Sequence, residues 1–305
     1  MRTNTFLRSA LALAAGLTLT LAAQAQQERD FSKVEIKTNR LAADFHTLDG
    51  QGGTISVLSG PEGVLIVDSQ FAPLSEKIIA AIRAISDKPI RFLVNTHVHG
   101  DHTGGNENFG KQGTLIFARE IVRQRLQNPK PGASGNTPRP AAAAALPVIT
   151  FEQPVNIHLN GEAVELLPVR PAHTDGDLLV RFPKHDILAV GDYFRSEGWP
   201  VVDLNNGGKL QGTIDALDTT LKLAGPSTRI VPGHGKVTDR AAVARQRELL
   251  IAVRDKVAPL VAAGKTADEV VASKPTADFD AQVPNGAQSA ERFVRWLYAE
   301  LKAGL

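Results

Sequence analysis

Four side chains able to bind a metal, His97, His99, Asp101 and His102, fall within six residues directly after the apolar stretch Ile90 to Val94. No other feature restricts the fold as much. His97 and His99, two apart at an extended strand end, project to the same side. Gly100 lets the chain bend, so that Asp101 and His102 can aim at a second point nearby. Three more segments end a candidate strand with a ligand type beside glycine or a turn: Pro171-Ala172-His173-Thr174, Val190-Gly191-Asp192 and Val231-Pro232-Gly233-His234-Gly235. Imidazole nitrogen and carboxylate oxygen are the donors that zinc accepts. A chain that uses all seven must carry strand ends distant in sequence to one place.

The organisation around these segments suits that demand. Leu41 to His46, Thr54 to Ser59 and Val64 to Asp68 read as strands separated by the glycine-rich turns Asp49 to Gly53 and Gly60 to Gly63. Leu74, Ile78, Ile82 and Ile85 recur at helical spacing before the strand Ile90 to Val94. The middle of the chain repeats the strand-rich character in Val155 to Leu159, Ala163 to Val169, Leu178 to Phe182 and Ile187 to Val190. A helix through Leu217, Leu221 and Ala224 stops at Gly225-Pro226 and precedes the strand Arg229 to Val231. Two or three helices finish the chain, one opened by Thr266-Ala267-Asp268-Glu269 in capping-box form. Strands, helix and strand in each half suggest two sheets back to back with helices outside. Asn128 to Pro147, rich in proline and alanine, reads as a surface loop, either a flap at a site or a plain connection.

Residues 1 to 25 have the form of a cleavable secretory signal: Arg2 and Arg8, the apolar run Ala10 to Ala23, then Ala23-Gln24-Ala25. The expected destination is the periplasm or the exterior, with residues 26 to 305 as a single domain that has no membrane association after cleavage. Loss of the signal takes away Arg2 and Arg8 and no acid, leaving 32 basic against 32 acidic residues. A neutral mature chain without a basic run gives no reason to expect a nucleic-acid partner. The chain has no cysteine, which rules out disulfides, thiolate nucleophiles and iron–sulfur ligation.

The sequence resembles the metallo-β-lactamase superfamily: its HxHxDH motif stands at His97 to His102, and its later ligands match in order at His173, Asp192 and His234. The resemblance implies a four-layer αβ/βα sandwich of two mixed β-sheets with helices on the outer faces. It implies two Zn2+, the first on His97, His99 and His173, the second on Asp101, His102 and His234, with Asp192 between them. In this reading a metal-bridging hydroxide cleaves an acyl bond and Asp101 orients or briefly holds its proton. Two Zn2+ balanced by Asp101, Asp192 and hydroxide leave one positive charge, which favours a small anionic acyl substrate. Asp68 matches a family aspartate and is expected to fix the ligand loop through hydrogen bonds.

The superfamily covers β-lactams, lactones, thioesters, phosphodiesters and some redox chemistry, and fold does not choose among them. Asp192 stands where the branch with a zinc-bound cysteine has Cys, which separates this chain from it. Arg195 falls where that branch has a cation for the drug's carboxylate, and Asn205 and Asn206 fall near its oxyanion-contacting asparagine, so these three are candidate substrate contacts. Phe71 and Trp199 are candidate apolar walls, beneath a glycine-rich hairpin at Thr47 to Gly53. The rival reading is an iron-dependent oxidoreductase of oxygen or sulfur chemistry on the same fold. A third is a binding module that has kept the fold without catalysis.

Overall fold

In this computed structural model residues 30–131 and 137–304 are described, and the unit from Glu35 onward carries all the elements below. The signal assigned to residues 1 to 25 lies outside the described residues, as does the centre of the proline-rich stretch. The first sheet has seven strands in sequence order: β1 (Lys37–Arg40), β2 (Phe45–Asp49), β3 (Ile55–Gly60), β4 (Gly63–Val67), β5 (Ile90–Val94), β6 (Leu115–Arg119) and β7 (Ile149–Phe151). Its first four strands pair antiparallel and β4 to β7 pair parallel. The second sheet runs β12-β11-β10-β9-β8, comprising β8 (Val155–Leu159), β9 (Glu162–Pro168), β10 (Leu178–Phe182), β11 (Ile187–Ala189) and β12 (Arg229–Val231). Only its β11–β12 pair is parallel.

Side-chain alternation sets the layers. Leu65, Val94 and Phe117 of the first sheet pack with Leu166, Val180 and Val231 of the second in one cluster between the sheets. Their neighbours in sequence, Val64, Ile66, Leu93 and Ile116, face the other way and are also buried. Central parallel strands covered on both faces read as continuous apolar runs. The outer helices of this half are α1 (Ser75–Ile85), α2 (Gly100–Thr103), α3 (Asn106–Gly110) and α4 (Glu120–Gln127). Ile78 and Ile82 of α1, Phe109 of α3 and Val122 of α4 are the buried side of that layer. On the far face of the second sheet, Leu179, Leu188 and Ile230 join Ile214, Leu250 and Phe293 in a second cluster. Those three come from α5 (Leu210–Leu223), α6 (Arg240–Ala262) and the last helix; with α7 (Ala267–Ala272) and α8 (Gly286–Ala303) they complete the fourth layer. The αβ/βα sandwich expected from the sequence is the fold observed.

Local signals account for several boundaries. Asn160 and Gly161, both at positive φ, make the tight turn between β8 and β9. Thr266 accepts from Glu269 N–H while the Glu269 carboxylate accepts from Thr266 N–H, the reciprocal cap expected for α7. One expected strand is displaced: Leu41 to His46 is not continuous, because Leu41 and Ala42 both donate N–H to Phe45 C=O in a turn between β1 and β2. Three helices close the chain, and no helix among the described residues is long and apolar enough to cross a membrane.

The consequence for function lies at one edge. The ends of β4, β5, β9, β11 and β12 lead into Asp68, the 95–102 loop, His173, Asp192 and His234 in turn. Carboxyl ends of strands in open α/β sheets are where ligands bind.

Candidate metal centre

The seven sequence-derived ligand candidates meet there. His97 and His102 ring centroids are 4.1 Å apart, His97 and His173 4.7 Å, His99 and His173 4.6 Å, and His102 and His234 5.3 Å. Three groups each bring one donor atom per residue within 4.8 Å of one another: His97, His99 and His173; His97, His102 and Asp192; Asp101, His102 and His234. Asp192 stands centrally, with carboxylate oxygens 3.2 Å from His102 Nε2, 3.3 Å from His234 Nε2 and 3.8 Å from His173 Nε2. Asp101 Oδ2 lies 3.2 Å from His234 Nε2.

Four of the histidines have one ring nitrogen engaged by an outer partner, which leaves the other facing its neighbours. His102 Nδ1 is 2.7 Å from Asp68 Oδ2, His99 Nε2 is 2.7 Å from Asp203 Oδ2, and His173 Nδ1 is 2.7 Å from Val201 C=O. His97 Nδ1 is 3.0 Å from Thr96 Oγ1, whose own proton goes to Asp68 Oδ2 at 2.7 Å. Outer acceptors of this kind fix the tautomer and ring orientation of a metal-binding histidine. Inward, His97 Nε2 and Asp192 Oδ1 are buried and make no hydrogen bond, Oδ1 having only the His102 ring nitrogen 3.2 Å away in an ion pair. Buried polar atoms without partners are costly, so two of them facing a cluster of imidazoles and carboxylates is the arrangement of a cation site. The residues present fit a metal centre.

Charge follows position. Burial, then the neighbouring His102, holds His97 well below the usual imidazole range; burial, then His99, brings His173 down to about 4. Both therefore offer neutral rings at pH 7. Burial would lower His102 as well, yet the Asp192 and Asp68 carboxylates raise it well above the usual value. Burial opposes ionisation of Asp192, but His102 and His234 keep its carboxyl far below the ordinary range.

The expected support from Asp68 has a definite geometry. Its carboxylate, 1% exposed, also accepts Thr96 N–H at 2.8 Å, so that one side chain ties the start of the ligand loop to the His102 ring. The hairpin at Thr47 to Gly53 packs against the same loop: Gly53 N–H donates to Asp101 C=O at 3.0 Å, and Gln70 Nε2 donates to Gly53 C=O at 2.8 Å. A Cβ on Gly53 would stand 2.2 Å from His102 Cε1, so only glycine lets the hairpin approach.

The candidate substrate contacts are distributed differently. Arg195 Nη1 is 3.9 Å from Asp192 Oδ2, at the back of the ligand cluster. Asn206 donates Nδ2–H to Asp203 Oδ2 at 2.7 Å and accepts from Arg125 Nη1 at 3.1 Å, which makes it a brace for the partner of His99. Asn205 is exposed, its C=O accepting from Lys130 Nζ at 3.2 Å. Trp199 is in the core, stacked on Phe293 with ring centroids 5.1 Å apart, and is no wall of the metal site; Phe71 is half-buried. The proline-rich stretch does border the site: a cavity of about 580 Å3 beside His99 and Asp203 is walled by Pro129, Pro131, Pro138 and Trp296. His46 and His158 are apart from the cluster on β2 and β8, while His185 lies between Glu162 and Asp44.

Asp203, Thr96 and Arg125 were not legible as site residues. Asp203 had one local signal, an aspartate followed by Leu-Asn-Asn-Gly, which accepts N–H groups from Asn205 and Asn206 in a turn.

A family model of the Metallo-beta-lactamase superfamily matches residues 48–261. The chain is 24% identical over 197 residues to "Metallo-beta-lactamase type 2" of Bacillus cereus, covering 64% of this chain and 71% of that protein. It is 24% identical over 256 residues to "Linear primary-alkylsulfatase" of Pseudomonas sp. (strain ATCC 19151), covering 70% of this chain and only 48% of the relative's length. Among solved structures, a metallo-beta-lactamase from Pontibacter korlensis superposes with a TM-score of 0.58 at 20% identity, over 71% of this chain and 99% of that one. The family match over most of the folded unit, together with the shared fold, places this chain in the metallo-β-lactamase superfamily.

Proposed function

We propose that this chain is a two-zinc hydrolase that cleaves an acyl bond of β-lactam, lactone or thioester type. The observation that carries the reading is the pair of orphaned atoms, His97 Nε2 and Asp192 Oδ1, inside a ring of donors whose outer nitrogens are already engaged. His97 Nε2, His99 Nδ1 and His173 Nε2 would hold one ion; Asp101, His102 Nε2 and His234 Nε2 the other, with Asp192 shared. Such a pair, when bound, lowers the pKa of water to about 7 and polarises the oxygen of the bond to be broken.

The side chains do the rest. Asp101 is 28% exposed, against 5% for Asp192, and its Oδ2 faces His234. It is therefore the carboxylate placed to take a proton from the attacking water and return it to the leaving atom. Asp68 and Asp203 hold His102 and His99 in orientation, and the Gly52-Gly53 hairpin covers Asp101 C=O. The chemistry suits a small anionic acyl substrate, and no nucleic-acid or membrane partner is part of the proposal. Residues 1 to 25 are read as an export signal, so the working compartment is the periplasm or the exterior; the N-terminal mass of the protein recovered from that compartment checks this.

The test is hydrolysis by zinc-loaded mature protein of a panel of β-lactams, lactones, thioesters and esters, with a chelated control. A linear alkyl sulfate belongs in the panel because one relative carries that activity in its name. Chelator-sensitive turnover of an acyl substrate supports the reading. Stoichiometric iron with oxygen-dependent turnover would replace it with the oxidoreductase alternative.

A further inference from the structure

Among the described residues eight buried side-chain polar atoms lack a hydrogen-bond partner, and they are not spread evenly. Two belong to the metal centre. Three more, Arg195 Nε, Ser196 Oγ and Gln246 Nε2, belong to residues that line a single cavity of about 410 Å3. This cavity lies between α6, the segment after Asp192 and residues 282–284. It is separate from the cavity beside His99, with which it shares no lining residue.

Its chemistry is one-sided. Arg195 and Arg245 are on its lining and no aspartate or glutamate is. Arg245 is exposed and forms no ion pair with any described residue. Arg292 is close enough to Arg195 to feel its charge: burial, then Arg195, lowers its guanidinium. Arg195 Nε and Gln246 Nε2 can only donate, and Ser196 Oγ can do so. Arg195 has Asp192 as a counter-ion at 3.9 Å, but the unpartnered Gln246 and Ser196 donors and the unpaired Arg245 still ask for an acceptor, an anion best of all. The rest of the wall is largely apolar, with Phe194, Trp199, Leu249 and Val283 beside the polar Thr238 and Gln282. A concave apolar wall with a few convergent polar groups is the form of a small-molecule site, and this volume is within the usual range.

We propose that this cavity binds a monocarboxylate with a short apolar body, its carboxylate toward Arg195, Gln246 and Arg245. The site backs onto the metal centre without being part of it. Arg195 pairs with His234 as an isolated bridge, Ser196 N–H donates to His234 C=O at 3.1 Å, and Arg195 Nη1 is 3.9 Å from Asp192. An acid bound there meets the same segment that positions two of the candidate ligands from behind.

Calorimetric titration of the full chain with hexanoate, hexan-1-ol and inorganic phosphate tests it. One hexanoate per chain is expected, in zinc-loaded and chelator-treated protein alike, with hexan-1-ol and phosphate each at least tenfold weaker. Gln246→Leu and Arg245→Glu should each weaken hexanoate at least tenfold; the second lies on an exposed position and keeps the test usable should the first fail to fold. Absence of hexanoate binding, or binding untouched by either substitution, overturns the proposal. So does equal affinity for hexan-1-ol, which would make the cavity merely apolar, and so does loss of binding on chelation, which would put the acid on the metals.

Discussion

Replacing Asp68 with asparagine probes how the ligand cluster is held together. Asp68 has φ +66°, a region that asparagine tolerates as readily as aspartate, so Asp68→Asn leaves the backbone unstrained and changes only the side chain. The native carboxylate accepts three hydrogen bonds, from Thr96 N–H, Thr96 Oγ1–H and His102 Nδ1–H. An amide oxygen can keep the first. Its NH2 then faces the other two donors, one of which is His102 Nδ1–H. The His102 ring can answer by moving its proton to Nε2, the atom that faces Asp192 and His234. That proton occupies the lone pair a metal needs. Loss of such an outer partner costs roughly 10- to 100-fold in metal affinity, or about 1.4 to 2.8 kcal/mol. Two charge-assisted hydrogen bonds lost in a buried place also cost roughly 3 kcal/mol of stability. Zinc competition against a chromophoric chelator reads the first quantity and thermal unfolding the second. Unchanged zinc affinity in a folded Asp68→Asn protein would refute the idea that Asp68 sets the His102 tautomer.

Other substitutions separate site from scaffold. Gly53→Ala should displace the His102 ring, since its Cβ would lie 2.2 Å from His102 Cε1; weaker zinc binding together with roughly 1–3 kcal/mol of lost stability is expected in the same two assays. Asp101→Ala should leave a folded protein whose zinc-loaded turnover falls by about 100-fold or more, and undiminished turnover counts against its proton-handling role. His185→Ala should do the reverse: it removes the imidazole from Glu162 Oε2 and leaves this carboxylate, on a residue only 2% exposed, with backbone N–H donors on Oε1 alone, which is expected to cost about 3 kcal/mol in denaturant unfolding while turnover per folded molecule stays the same.

Among the elements of the fold, several strands are the most readable in the sequence. Ile90–Val94, Leu178–Phe182 and Arg229–Val231 have the limits their apolar runs suggest, because buried parallel or central strands have little choice but to be apolar. The edge strand Lys37–Arg40 carries no apolar pattern, being largely exposed, and the eye falls instead on Leu41 and Ala42, which the chain uses in a turn. The helix through Leu217 and Leu221 begins at Leu210, where its first N–H is held by Glu300 from the far end of the chain, a contact no local pattern reveals. In the site the same division holds. Ligand candidates are visible because histidine and aspartate beside glycine at a strand end have few structural reasons to recur. Their outer partners Thr96, Asp203 and Val201 look like ordinary turn residues until the fold brings them within 3 Å of an imidazole nitrogen.

Anomalous diffraction at the zinc edge from crystals of the purified, zinc-loaded chain bears most directly on the metal centre. Two peaks about 3.5 to 4 Å apart are expected, one against His97, His99 and His173, the other against Asp101, His102 and His234, with Asp192 reaching both. A single peak or none within that ring of donors, or a signal that follows the iron edge instead, would contradict the two-zinc reading.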